Sequence, residues 1–254
     1  MPRHDDRTLD ALRPVEMQVG FHRMSEGSVL YKAGNTIVLC TASVDAKVPP
    51  FMEGKGKGWV TAEYQMHPRS NPERRESRDG RGKAPSGRTQ EIQRLIGRSL
   101  RAAVHLGKLG ERQISIDCDV LEADGGTRTA SITGGFVALA LALAKLRQKG
   151  VLTTPCLREP VAAVSAGRVG GESMLDLCYK EDSKAEVDLN LVATKSGAII
   201  EVQGTAEDAP VPRKVFDGLI DLGLLGIDKL IAMQEREIAK SGVTLQELLV
   251  PASS

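Results

Sequence analysis

Residues 131–149 are apolar almost all the way round a helical wheel. A helix without a polar stripe has no side to offer water, so other elements must bury it. Lys145, Arg147 and Lys149 gather at its C-terminal end, where they complement the helix dipole, and Gly150 is placed to cap it. With 254 residues, 41% of them apolar and 26% charged, the chain has the length and composition to build a substantial core around such a helix.

Short strands supply the covering. Residues 28–31 and 36–44 flank Gly34-Asn35, a hairpin turn, and residues 59–64 alternate like a further strand. Residues 89–104 predict a helix, with Ile92, Leu95, Ile96, Leu100 and Ala103 on one face and Arg94, Arg98 and Arg101 on an adjacent stripe. Residues 113–121 form another strand-like run. Two more hairpins follow: 161–166 with 173–177 around Gly170-Gly171, and 186–192 with 198–202 around Ser196-Gly197. From Pro212 the pattern is helical with an interruption at 223–226, and Thr244 with Glu247 suggests a capping box for a last short helix. The first dozen residues are polar and read as loose. The order predicts an α+β layered domain whose two halves, dividing near Gly150, each run from hairpins to helix.

The segment Asp124-Gly125-Gly126-Thr127-Arg128-Thr129-Ala130-Ser131 joins the 113–121 strand to the apolar helix, whose start the pattern puts near Ile132. Two glycines allow a sharp turn with exposed N–H groups, and a helix N-terminus adds partial positive charge. With the Arg128 guanidinium these make an anion cradle suited to phosphate, the alternative being an ordinary turn with a solvated arginine. Arg88, beside Gly87 at a second helix start, can reach a shared phosphate site or stand in solvent.

Asp182 ends a turn and Asp188 lies inside a strand, which can bring two carboxylates to one edge. Such pairs divide into a proton donor and a metal ligand, although capping and surface roles are equally available to them. Val187, Leu189 and Leu191 mark the core side of that strand, so Asp188 and Asn190 share the other face, against a second packed layer or a cleft.

Charge is uneven. Between Arg69 and Arg101 ten Lys or Arg residues stand against four acids, a local excess of +6 in a chain whose net charge is +1. Residues 68–87, rich in Arg, Glu, Gly, Ser and Pro, lack periodicity and predict a long mobile loop that suits a polyanion. Aromatic residues are 3%, too few for a stacking platform. The cysteines at 40, 118, 156 and 178 make no C-x-x-C pair, which argues against zinc and for buried free thiols in a reducing compartment. The N-terminus has no signal-like apolar run, and no segment reads as a membrane span, so a cytoplasmic protein without membrane contact is expected. Walker, G-x-G-x-x-G and G-x-S-x-G motifs are absent from the sequence, and its histidines make no metal spacing.

Taken together, Gly27-Ser28-Val29-Leu30, Gly58-Trp59-Val60-Thr61-Ala62-Glu63-Tyr64, Met66-His67-Pro68-Arg69-Ser70, Gly87-Arg88-Thr89 and Ile200-Glu201-Val202-Gln203-Gly204-Thr205-Ala206 closely resemble the ribonuclease PH family. So do the stretches at 38–43, 117–134 and 181–190, and the match covers nearly the whole chain.

The resemblance implies the ribonuclease PH fold, with two βαβ-type halves (ribosomal protein S5 domain 2-like). It implies a single domain over 1–254, with halves of about 14–150 and 151–240 and a tail at 241–254. The implied activity is that of a phosphate-dependent 3′-to-5′ exoribonuclease, also a tRNA nucleotidyltransferase. It would trim tRNA precursors and other RNA 3′ ends, release nucleoside diphosphates and run reversibly. A homohexamer (a trimer of dimers), no DNA partner, Mg²⁺ or Mn²⁺, and inorganic phosphate as co-substrate are implied too. Phosphate binding falls on Arg88, Gly126, Thr127 and Arg128, and the paired aspartates, with proton donation and metal binding between them, on Asp182 and Asp188. Arg69, Arg74 and Arg75 would hold upstream RNA backbone. Asn190 stands where polynucleotide phosphorylases carry a lysine. Two rivals are an inactive RNA-binding ring subunit, which would have lost these arginines or aspartates, and a two-metal hydrolase, which wants a denser carboxylate cluster.

Overall fold

A computed structural model describes residues 3, 5–72, 75 and 84–251. Most of the arginine-rich stretch, including Arg74, lies outside these residues. The first sheet is built from β1 (Val15–Val19), β2 (Gly27–Ala33), β3 (Thr36–Asp45), β4 (Trp59–Met66) and β5 (Gln113–Glu122), in the order β1-β2-β3-β5-β4. Its pairs are antiparallel except β4 with β5. Parallel neighbours need a crossover, and α1 (Gly87–Ala102), followed by the single turn α2 (Leu106–Leu109), provides it. Gly34, at φ 55°, makes the β2–β3 turn that the sequence announces.

The buried helix is α3 (Thr127–Gln148). It starts five residues before the expected Ile132, because Gly126 takes the left-handed conformation that ends the preceding turn and leaves Thr127 and Arg128 in the first helical turn. The added residues make α3, among those described, the one helix long and apolar enough to cross a membrane, contrary to expectation. Most of it is buried inside the protein, which is the environment of a core helix. Gly27 lets β2 lie directly on it: a Cβ there would strike the Ala138 carbonyl.

The second sheet comprises β6 (Val161–Val169), β7 (Glu172–Leu175), β8 (Val187–Thr194) and β9 (Ile199–Ala206), all antiparallel in the order β7-β6-β8-β9, with the turn α4 (Tyr179–Asp182) between β7 and β8. Strand alternation divides its faces. Leu189, Leu191 and Ala193 join the core under α5 (Arg213–Ala239), whereas Val192 and Ala163 join the core around α3. Thr133 of α3 bonds both the amide and the carbonyl of Ala163, tying helix to sheet. Asp188 and Asn190 have the parity of Val192, so they face the α3 layer.

Two further expectations are corrected. Helix α5 runs unbroken through Gly223 and Gly226, where a Cβ would fall 2.8 Å from Leu191 and Leu175 respectively. These glycines serve close helix–sheet packing rather than a break. The described residues of the N-terminal dozen are also anchored: Arg3, 4% exposed, forms a forked pair with Glu181 at 2.8 and 2.7 Å and bonds the Leu175 carbonyl. Near the C-terminus, Thr244 donates to the Glu247 carboxylate at 2.7 Å beside a short 3-10 turn, so the two side chains bond each other rather than the backbone.

Candidate active site

The cleft lies where the N-terminus of α3 meets the second sheet and the start of α1. Gly125 and Gly126, at φ 76° and 64°, carry the chain from β5 into α3 in a conformation that other L residues rarely adopt. Space also requires glycine at 125, where a Cβ would fall 2.7 Å from the Leu177 carbonyl oxygen. The turn is fastened from outside. Arg13 donates to the Asp124 carbonyl at 2.6 Å, Thr36 to the Gly125 carbonyl at 2.7 Å, and Asn35 to the Asp124 carboxylate at 3.1 Å. With its carbonyls occupied, the turn is free to aim amides and the helix dipole at an anion.

Around this point the fold assembles the residues singled out in the sequence. Thr127 shares a hydrogen bond of 2.9 Å with the hydroxyl of Tyr64, from β4. Arg128 reaches Gln203 of β9, its Nη1 donating to Oε1 at 3.0 Å. Arg88 is exposed in the first turn of α1, behind Ser86, whose hydroxyl caps the helix by accepting from the Thr89 amide at 3.1 Å. The Arg88 and Arg128 guanidinium groups both act on the Tyr64 phenol and on the Asp182 carboxyl. The two arginines, 40 positions apart in sequence, therefore share one electrostatic environment.

Asp182 ends α4 at the solvent-accessible edge of the cleft, and Asp188 sits half-buried on β8. Desolvation raises the pKa of Asp182, with Arg128 and Arg88 opposing and Glu207 adding to the rise. Asp188 is pushed up to about 6, by desolvation first and then by the Asp182 charge, against the pull of Arg128. The two carboxyls are thus an interacting pair in which one proton persists well above the ordinary aspartate range. Asn190 donates weakly to Asp188 at 3.4 Å.

Not every expected residue joins the cleft. Arg69 is exposed, and among the described residues it bonds His67 and the Pro72 carbonyl; Arg75 is exposed as well. Residues not singled out as functional also enter: Tyr64, Gln203, Glu91, Glu207 and Arg13. Tyr64 shares the buried face of β4 with Val60 and Ala62, so nothing in the local pattern marks its hydroxyl as special. Arg13 directly follows the segment read as loose.

Guanidinium groups facing a helix N-terminus, with carboxyls of raised pKa in the same cleft, define a protein that works on phosphate esters. The chain belongs to the 3′ exoribonuclease family: the family's domain 1 model matches residues 11–145, and its domain 2 model residues 159–226. It is 53% identical to ribonuclease PH of Bacillus velezensis over 97% of this chain and 99% of that protein. With ribonuclease PH of Neisseria meningitidis the identity is 54%, over 92% and 96% of the two chains. The fold is shared with an Archaeoglobus fulgidus exosome solved with RNA bound to the active site, at TM-score 0.75, 23% identity and coverage of 91% and 92%. An archaeal exosome core gives TM-score 0.71 at 22% identity, over 91% and 90%.

Proposed function

We propose that this cleft performs phosphorolysis of RNA 3′ ends with the residue roles given below. The chain is a phosphorolytic 3′-to-5′ exoribonuclease acting on tRNA, by its family and its relatives. The observation that carries the site assignment is Arg128 in the first turn of α3, bonded to Gln203 at 3.0 Å and acting electrostatically with Arg88 on the Asp182 carboxyl.

Inorganic phosphate sits between the Arg128 and Arg88 guanidinium groups and the amides at Gly126 and Thr127. One of its oxygens attacks the terminal phosphodiester, and the bond to the preceding ribose 3′-oxygen breaks, releasing a nucleoside diphosphate. Both reactants are anions, so the arginines and helix terminus act chiefly by neutralising and aligning them. Asp182 hands a proton to the departing 3′-oxygen. One phosphoester-type linkage replaces another, so the reaction runs in both directions.

The carboxylates suit a hard divalent cation such as Mg²⁺ or Mn²⁺. Burial raises both pKa values, and the Asp182 charge adds to the rise at Asp188, the condition that a bound cation relieves. Asp188 and Asp182 would hold the ion, with water and phosphate oxygens completing its shell, and the ion would supply further charge neutralisation. Since Asp188 keeps a proton up to about pH 6, binding there releases a proton below that pH.

Upstream RNA backbone runs over Arg69, Arg74 and Arg75, which bind without reading sequence. The halves at about 14–150 and 151–240 form one domain, and six copies assemble as a trimer of dimers. Met24, Phe51 and Leu225, each more than half exposed, are apolar surface that assembly would cover. Four buried thiols suit a reducing cytoplasm.

Replacing Arg128 by Ala tests the assignment. Phosphate-dependent release of nucleotides from a 3′-extended tRNA should fall by about 10²–10³-fold, with the unfolding midpoint unchanged. Near-native turnover in that variant would contradict it.

A further inference from the structure

Arg128 is engaged by two neighbouring side chains. Its Nη1 donates to Gln203 Oε1 at 3.0 Å and lies 3.5 Å from Glu91 Oε2. Glu91 follows Arg88 by three residues on α1, so it shares the face that carries the other phosphate arginine. Gln203 comes from β9, in the second sheet. Its amide oxygen serves Arg128, while its nitrogen donates to Glu91 Oε1 at 2.9 Å and to Glu201 Oε1 at 3.2 Å. Glu201 is in turn forked by Arg98 at 2.7 and 2.6 Å. These acceptors determine the orientation of the Gln203 amide: turned over, it would set its NH₂ against a guanidinium and its oxygen against two carboxylates.

We propose that Glu91 is an internal stand-in for the phosphate co-substrate, holding Arg128 through Gln203 until inorganic phosphate displaces it. The proposal rests on the assignment of Arg128 as the phosphate-binding arginine. Three features make the exchange favourable. The Glu91–Arg128 contact is a single 3.5 Å approach rather than a fork, and the Glu91 side chain is 44% exposed, so the pair is weak. Phosphate brings more charge and more acceptor oxygens to the same guanidinium. It also meets the α3 amides and Arg88. Glu91 thereby keeps Arg128 aligned and moderates phosphate affinity. It is a positioning residue, and Gln203 is its bridge.

Calorimetric titration of inorganic phosphate into the full chain tests this, with wild type, Glu91→Gln, Gln203→Glu and Arg128→Ala compared. Glu91→Gln should tighten phosphate binding by about two- to fivefold, the strength of an exposed ion pair. Gln203→Glu puts a second carboxylate on Arg128 and should weaken binding. In tRNA trimming, KM for phosphate should move in the same directions while KM for tRNA holds. A merely structural Glu91 would not yield tighter binding on removal of its charge. Unchanged or weakened phosphate binding in Glu91→Gln, with Arg128→Ala having lost it, would overturn the stand-in role alone. Wild-type affinity in Arg128→Ala would overturn the phosphate-site assignment itself, and this proposal with it.

Discussion

Arg13 and Asp176 are locked in a buried fork: Arg13 Nη2 donates to Oδ1 at 2.7 Å, and its Nε and backbone N donate to Oδ2 at 3.1 and 2.8 Å. Arg13 also holds the Asp124 carbonyl at 2.6 Å, so one guanidinium ties the glycine turn to the loop between β7 and α4. That loop leads into Asp182. The two sides of the cleft are therefore registered against each other by one buried side chain.

Truncating Arg13 to Ala should cost about 3–5 kcal/mol, because Asp176, 5% exposed, would keep a charge without its main partner. Urea unfolding checks the value. A loss below about 1 kcal/mol would show that the fork does not hold the structure together.

Asp188 gives a prediction with a definite sign. Its pKa stands at about 6 in the folded chain against 3.8 for the free side chain, so the folded state binds more protons across that interval. The associated stability is fully present below about pH 4 and is lost as pH rises through 6. In EDTA at pH 7, Asp188→Asn should therefore stabilise the fold by about 1–2 kcal/mol, less than two pKa units would give because the site is partly solvated. The same substitution should abolish RNA trimming. Equal stability of wild type and variant at pH 7 would contradict the burial account.

Gly125→Ala should damage both fold and cleft. A residue with a Cβ at φ 76° is strained by about 1–2 kcal/mol, and the backbone oxygen 2.7 Å from that Cβ has little room to retreat. A stability loss of about 2 kcal/mol or more and a raised KM for phosphate are expected. Unchanged thermal unfolding and kinetics would mean that the turn does not need its left-handed glycine.

Much of this was legible in the sequence where local chemistry decides structure. Gly34-Asn35, Gly170-Gly171 and Ser196-Gly197 mark their hairpins because turn conformation is a local property, and alternation in β8 assigns Asp188 to a face. Misreadings arose where a distant partner decides. Gly223 and Gly226 look like helix breakers until Leu191 and Leu175 are seen against them. Arg3 and Arg13 carry no local sign of their burial because their acids lie more than 160 residues away. The start of α3 was missed because polar Thr127 and Arg128 carry no apolar periodicity, although the dipole they crown is the reason they matter. Glu91 and Gln203 reach Arg128 only through the packing of α1 and β9 around α3, which no local pattern encodes.

The most direct test is the identity of the released nucleotide. Purified protein is incubated with a 3′-extended tRNA and Mg²⁺, with or without inorganic phosphate. Capture of orthophosphate as the attacking group predicts nucleoside 5′-diphosphates when phosphate is present and no release when it is omitted. Nucleoside monophosphates, formed at the same rate in both tubes, would contradict it.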